Sequence, residues 1–209
     1  LQDSTWTYWY KDGSKWKQGN FTEGKKNGIW TIWYENGQKL QEGNFVNGNE
    51  EGIWISWFEN GVLKDEATFK NGKLNGSWKS WFPNKNQNAL GFYKDEIKDG
   101  AWKFYFENGK IKEEGNFKNG RKDGLWITWT DKGMKSTEGK YKDEKPDGLW
   151  TYYYVFGVKS MEQTYKEGKL SGDCSAWYEN GTLKSTTSYT LVKGKNGIIE
   201  SKPNGKWTY

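Results

Sequence analysis

The groups in this chain best suited to proton transfer are carboxylates, and four of them, Glu35, Glu59, Glu107 and Glu179, stand at one position of a 24-residue repeat. Paired carboxylates can run general acid–base chemistry, but the pair needs a unique setting that drives its two pKa values apart. A group copied from unit to unit has no such setting. The chain holds no histidine and a single cysteine, so Ser-His-Asp and Cys-His nucleophiles are excluded, as are zinc sites built from nitrogen and sulfur ligands. The cysteine, Cys174, cannot form an internal disulfide and stands where other units carry Trp, which marks it as a small buried thiol. Glycine-rich stretches such as Gly24-Lys-Lys-Asn-Gly28 lack Walker spacing and open no helix, so they are turns and not phosphate cradles. The reading is of a non-enzymatic chain without cofactor or metal.

The same repeat supplies the elements. A Gly-x-Trp recurs at Gly28/Trp30, Gly52/Trp54, Gly76/Trp78, Gly100/Trp102, Gly124/Trp126 and Gly148/Trp150, with Gly172/Cys174 as a degenerate member. A second aromatic follows three residues on (Trp9, Trp33, Trp57, Trp81, Tyr105, Trp129, Tyr153, Trp177), and a lone aromatic closes each unit, as at Phe21, Phe45, Phe69, Tyr93 and Phe117. Asn-Gly between two runs of β-formers, as at Asn36-Gly37 and Asn60-Gly61, signals a two-residue type I′ hairpin; Asn47-Gly48 and Asn71-Gly72 mark a second turn. The expected fold is therefore all-β: an elongated, single-layer antiparallel meander of about eight 24-residue hairpin repeats spanning residues 1–190. An irregular C-terminal repeat or cap fills 191–209, where the last motif, Gly205-Lys206-Trp207, falls out of step.

A two-residue loop at Asn36-Gly37 places Glu35 opposite Gln38 and Trp30 opposite Gly43, so the ring would cover a bare glycine. If the next connection is a loop of about four to six residues, Phe45 lies near Trp54. One face then carries a structural ladder of Trp6, Trp30, Trp54, Trp78, Trp102, Trp126 and Trp150 interleaved with Phe21, Phe45, Phe69 and Phe117. The other face takes Trp33 and its equivalents with repeating Glu and Lys.

Hydrophobic residues make up 33% of the 209 and aromatics 18%, which suits a thin sheet of rings better than a thick aliphatic core. The net charge of +5 arises from 32 basic and 27 acidic residues spread along the chain, the pattern of a solvated surface and not of a nucleic-acid binder. No apolar stretch is long enough for a spanning helix. The compartment stays open, with a small preference for export to the periplasm or cell surface over the cytoplasm. The chain begins at Leu1, as a processed product would and as a fragment also would.

The unit Gly-x-Trp-x-x-Trp-Tyr-Glu-Asn-Gly, followed by Glu-Gly-x-Phe-x-x-Gly-Lys-x-x-Gly, resembles the MORN repeat, and in particular the bacterial variant found in the YwqK-type antitoxin family. The resemblance runs from Trp6 to Tyr189. It implies a meander of hairpins and a binding role as a scaffold or membrane-associated module, with antitoxin or immunity function in the YwqK-like members, and it supplies no catalytic residues.

Recurring aromatics are those each hairpin needs in order to stack, so specificity is expected where units differ. Two such columns supply the candidate partner-binding residues: Tyr8, Ile32, Phe104 and Tyr152 on the ladder face, and Ile55, Lys79, Lys103 and Ile127 on the other. The expected function is a repeat scaffold that binds a protein partner, a toxin in the immunity reading. The alternatives are a glycan or cell-wall binding surface, through rings stacking on sugars, and a peripheral membrane scaffold, through Lys25, Lys73, Arg121, Lys145 and Lys169 at hairpin ends.

Overall fold

The computed structural model describes residues 4–194 and 198–204; the Gly205-Lys206-Trp207 motif lies outside them. The chain is all-β, an antiparallel meander of hairpins. Its strands are β1 (Ser4–Trp9), β2 (Lys15–Thr22), β3 (Lys25–Trp33), β4 (Lys39–Val46), β5 (Asn49–Trp57), β6 (Leu63–Lys70), β7 (Lys73–Trp81), β8 (Gln87–Lys94), β9 (Ile97–Tyr105), β10 (Ile111–Lys118), β11 (Arg121–Trp129), β12 (Lys135–Lys142), β13 (Lys145–Tyr153), β14 (Lys159–Lys166), β15 (Lys169–Trp177), β16 (Leu183–Lys193) and β17 (Ile199–Pro203). They fall into two compact units. One holds residues 1–99 and 107–109, the other residues 100–106 and 110–209. In the first, β1 to β8 pair in chain order; in the second, β9 to β17 do the same.

Each repeat uses two kinds of turn, and they are exchanged relative to expectation. At Tyr34–Gln38 the Tyr34 amide donates to the Gln38 carbonyl (2.8 Å) and the Gly37 amide to the Tyr34 carbonyl (3.0 Å). Only Gly37 has positive φ (82°), so Glu35-Asn36-Gly37 is a three-residue loop, a type I turn closed by a left-handed glycine. Asn36 Oδ1 accepts the Gln38 amide (2.9 Å), which is what Asn contributes there. The loop is one residue longer than expected, yet Trp30 still pairs with Gly43, because β4 skips Leu40 between the Trp33–Lys39 and Ile32–Gln41 pairs. The type I′ turn lies instead at Asn47-Gly48, where both residues have positive φ (52° and 90°) and Val46 pairs with Asn49. That connection has two residues and not the four to six expected.

The core lies on the ladder face, as in the cluster Trp30, Phe45 and Trp54. Trp30 does not cover its register partner Gly43, however. In β5 the left-handed Gly52 (φ 78°) begins a bulge in which Gly52, Ile53 and Trp54 face the single residue Gly43. The bulge lays the Trp54 indole on Gly43, so that a Cβ there would stand 2.1 Å from the ring. Trp30 lies on Gly19, Trp126 on Gly115 and Trp150 on Gly139 in the same way. The two glycines interlock: one supplies the left-handed bulge, the other the room for the ring. Each of these indoles then donates Nε1 to the carbonyl ten residues before it, Trp54 to Asn44 (3.2 Å) and Trp126 to Asn116 (3.0 Å) among them.

The arrangement changes where the covered glycine is replaced. At β6–β7 the equivalent residue is Ala67, whose methyl occupies the ring's place; Trp78 pairs with Ala67 directly, stays half-buried, and Gly76 moves to φ 138°. At β14–β15 it is Gln163, opposite Cys174, and Gly172 moves to φ 105°. Trp6 is a second departure from the expected ladder. It packs edge-on against Phe21 (5.9 Å between centroids) but remains 51% exposed, since among the described residues β1 pairs only with β2.

Candidate functional site

On the ladder face the rings meet edge to face: Phe45–Trp54 at 5.0 Å and 88°, Phe117–Trp126 at 5.1 Å and 86°, Tyr141–Trp150 at 4.9 Å and 82°. That geometry sets each ring's positive edge against its neighbour's negative face. It hides the flat faces that a sugar ring would stack on, and lysines cover part of what remains: Lys26 Nζ stands 4.8 Å from the Trp30 centroid and Lys122 Nζ 3.9 Å from that of Trp126.

The opposite face repeats a different motif. Lys39 ion-pairs with Glu42 (2.6 Å) and sits 5.6 Å from the Trp57 ring; Lys135 pairs with Glu138 (2.8 Å) over Tyr153; Lys159 pairs with Glu162 over Trp177. Burial pushes the Glu42 carboxyl up, but hydrogen bonds from Lys39 and Thr31 outweigh it and leave the group below the usual carboxylate range. Lys135 first, then the Tyr153 hydroxyl, hold Glu138 low as well, while burial and the bond to Glu138 push the Tyr153 phenol up to about 12. Each ion pair joins two residues of one strand, and the lysine lying over the next strand's ring, together with the Thr31–Glu42 and Tyr153–Glu138 hydrogen bonds, ties that strand to its neighbour. Among the described residues no group of three or more His, Cys, Asp or Glu could hold a metal. Burial raises the Cys174 thiol, which keeps it protonated and unreactive.

The candidate partner-binding residues do not converge on one patch. Tyr8 packs on the Trp30 core and Ile32 lies half-buried beside Trp30. Phe104 stacks on Trp102 (5.6 Å, 21°), and the Tyr152 hydroxyl stands 3.4 Å from that of Tyr165. On the other face Lys79 pairs with Glu66 (3.1 Å) and Lys103 with Glu114 (3.0 Å), while Ile55 and Ile127 are half-buried.

Two exposed apolar features escaped the sequence reading. In four of the six Gly-x-Trp motifs the middle residue is a large aliphatic, Ile29, Ile53, Leu125 or Leu149, and each is about half exposed (48–58%) on the face opposite the ladder. The second feature is a loop. The three-residue turn reads Glu-Asn-Gly at 35–37, 59–61, 107–109 and 179–181, but Val155-Phe156-Gly157 at the β13–β14 turn, with the same backbone bonds and Gly157 at φ 81°. Phe156 is 82% exposed and Val155 53%, and the adjacent loops add the exposed Met134, Tyr178 and Leu183. The signal was present in the sequence, as the one unit whose turn position is apolar.

The MORN repeat variant matches residues 26–47, 50–71, 98–119 and 170–190. No curated protein matches the chain. Among solved structures, the crystal structure of TcdB2-TccC3-Cdc42 is similar over 97% of this chain and 15% of that one, at 10% identity and a TM-score of 0.20, too slight a likeness to carry an argument. The four matched segments coincide with the hairpins β3–β4, β5–β6, β9–β10 and β15–β16, so it is hairpin by hairpin that the chain is similar to the MORN repeat variant.

Proposed function

We propose that this chain is a non-enzymatic MORN repeat scaffold that binds a protein partner, and that its specific form is that of a bacterial toxin-neutralising immunity protein of the YwqK type. The observation that carries the binding role is the Val155-Phe156 turn. A Phe that is 82% exposed at a loop tip buries little of its ring in its own hairpin, and an aromatic residue held on a turn is the kind of group that anchors well in a partner's pocket. The immunity form rests on the repeat's resemblance to the YwqK-type variant.

The experiment is affinity capture from lysate on the immobilised chain, run in parallel with Phe156→Ser. The expected result is one stoichiometric protein held by the parent chain and released by the variant, toxic when expressed alone and rescued by co-expression. Equal capture by both chains removes the turn from the binding role, and retained polysaccharide in place of protein overturns the reading in favour of glycan binding.

A further inference from the structure

We propose that the ladder face around Cys174 is a binding site for a single flat, uncharged aromatic ring with a hydrogen-bonding edge group. Across β12–β14 the ladder face carries two adjacent rows, Gly139–Trp150–Gln163 and Thr137–Tyr152–Met161. Across β14–β16 the same rows read Gln163–Cys174–Thr187 and Met161–Ala176–Ser185. An indole and a phenol are replaced by a thiol and a methyl. Gln163 returns part of the lost volume, its Oε1 accepting from Tyr165 Oη (2.7 Å), but a cavity of about 240 Å³ remains, lined by Met161, Gln163, Cys174, Ala176, Thr187 and Tyr189.

The surroundings specify its occupant. One repeat earlier, Trp150 sits between two rings that meet it edge to face, Tyr141 at 4.9 Å and 82° and Tyr165 at 6.4 Å and 80°. Of the closing aromatics at the equivalent positions beside Cys174, Tyr189 lines the cavity and Tyr165 is hydrogen-bonded to its wall at Gln163, so a planar guest would continue the ladder as the chain's own indoles do elsewhere. Met161 offers a soft thioether to such a ring. Thr187 Oγ1, shut off from solvent, has no hydrogen-bond partner, and a donor or acceptor on the ring's edge would supply one. No charged side chain lines the cavity, which favours a neutral guest.

Indole is the probe, titrated into the whole chain with calorimetry and amide chemical shifts as readouts. The expected result is saturable one-to-one binding with a dissociation constant below about 1 mM, and shifts centred on Gln163, Cys174 and Thr187. Ala176→Phe fills the cavity from within and should abolish binding; the fold accepts a ring in this column already, at Phe104 and Tyr152. Pairing Cys174→Trp with Gln163→Gly rebuilds the regular ring-on-glycine contact and is a second block. Thr187→Val should weaken binding several-fold. Absence of saturation, shifts spread over the other hairpins, or undiminished binding in a folded blocked variant would each overturn the site. A blocked tryptophan amide separates the sources: if it binds as indole does, the ring is a partner's side chain, and if indole alone binds, the ring is a free compound.

Discussion

At the scale of single residues, the fold depends on a large ring meeting the absence of a side chain. Trp126 is 1% exposed, lies on Gly115 and meets Phe117 and Tyr141 edge-on, so Trp126→Ala should cost about 3–5 kcal/mol, whereas Trp6→Ala, at a half-exposed position, should cost less than about 1 kcal/mol. Urea unfolding of the two variants checks this, and equal midpoints would refute the ladder as core. Gly43→Ala places a methyl where the Trp54 indole lies and should cost about 1–3 kcal/mol. Native Ala67 shows how the strain resolves: Trp54 should become half-buried like Trp78, with a red shift in tryptophan emission. Unchanged emission and stability would show that the glycine is dispensable. On the opposite face, the Tyr153 phenol is raised from 10.0 to about 12. A folded value above the unfolded one means that the fold holds the proton more tightly. The contribution is thus complete below about pH 10 and is lost as pH rises from 10 toward 12. Glu138 runs the other way: with its folded value lowered from 4.5, its contribution is complete above that pH and is lost as pH falls below it. Between pH 8 and 11 the parent chain should therefore lose more stability than Tyr153→Phe, and parallel losses would dismiss the Tyr153–Glu138 bond as a contributor.

At the scale of the hairpin, successive repeats are tied by bonds spanning 23 residues. The hydroxyls of Tyr10, Tyr34 and Tyr154 donate to the carbonyls of Trp33 (2.7 Å), Trp57 (3.0 Å) and Trp177 (2.8 Å), and Asn36 Nδ2 donates to the Glu59 carbonyl (3.0 Å). Phe58, Phe82 and Phe106 occupy the tyrosine position without a hydroxyl, so the bond is an increment and not a requirement. Tyr154→Phe should accordingly cost about 0.5–1.5 kcal/mol, read by urea unfolding, with no change in far-UV circular dichroism; a loss of the β spectrum would contradict this. The pairing of Trp30 with Gly43 was legible in the sequence only because two departures cancel: the loop has one residue more than a type I′ turn, and the bulge at Leu40 takes it back. Asn-Gly is compatible with both turn types, and what separates them is whether Asn takes positive φ, as Asn47 does and Asn36 does not. Which indole covers Gly43 was not legible, since the answer depends on the Gly52 bulge between strands and no alternation pattern within one strand encodes it. The Val155-Phe156 turn was legible but hidden by attention to what recurs, since a repeat protein places its common needs in the columns and its particular ones in the exceptions.

At the scale of the whole molecule, a meander in which the described strands of each unit pair with the strands before and after them has stability made of local terms: each hairpin plus its contacts with its neighbours. Such a chain should tolerate loss of one full period and no other length. Removing residues 49–72, which hold β5 and β6, joins the Asn47-Gly48 turn directly to Lys73, so β7 pairs with β4 in the place of β5 and Trp78 arrives over Gly43. The shortened chain should keep its β spectrum. It should also bury Trp78 more deeply than the parent does, because the methyl of Ala67 no longer stands beneath the ring. Removing one residue more, 49–73, leaves the turn intact but exchanges the two faces of β7, setting Trp78 among the lysines and glutamates of the opposite face and Lys79 on the ladder. That chain should unfold or aggregate. Far-UV circular dichroism, tryptophan emission and urea unfolding of the two deletions decide the matter: equal damage from both would mean that the first unit folds as an indivisible whole, and preservation only at the 24-residue deletion would establish the hairpin repeat as its unit of stability.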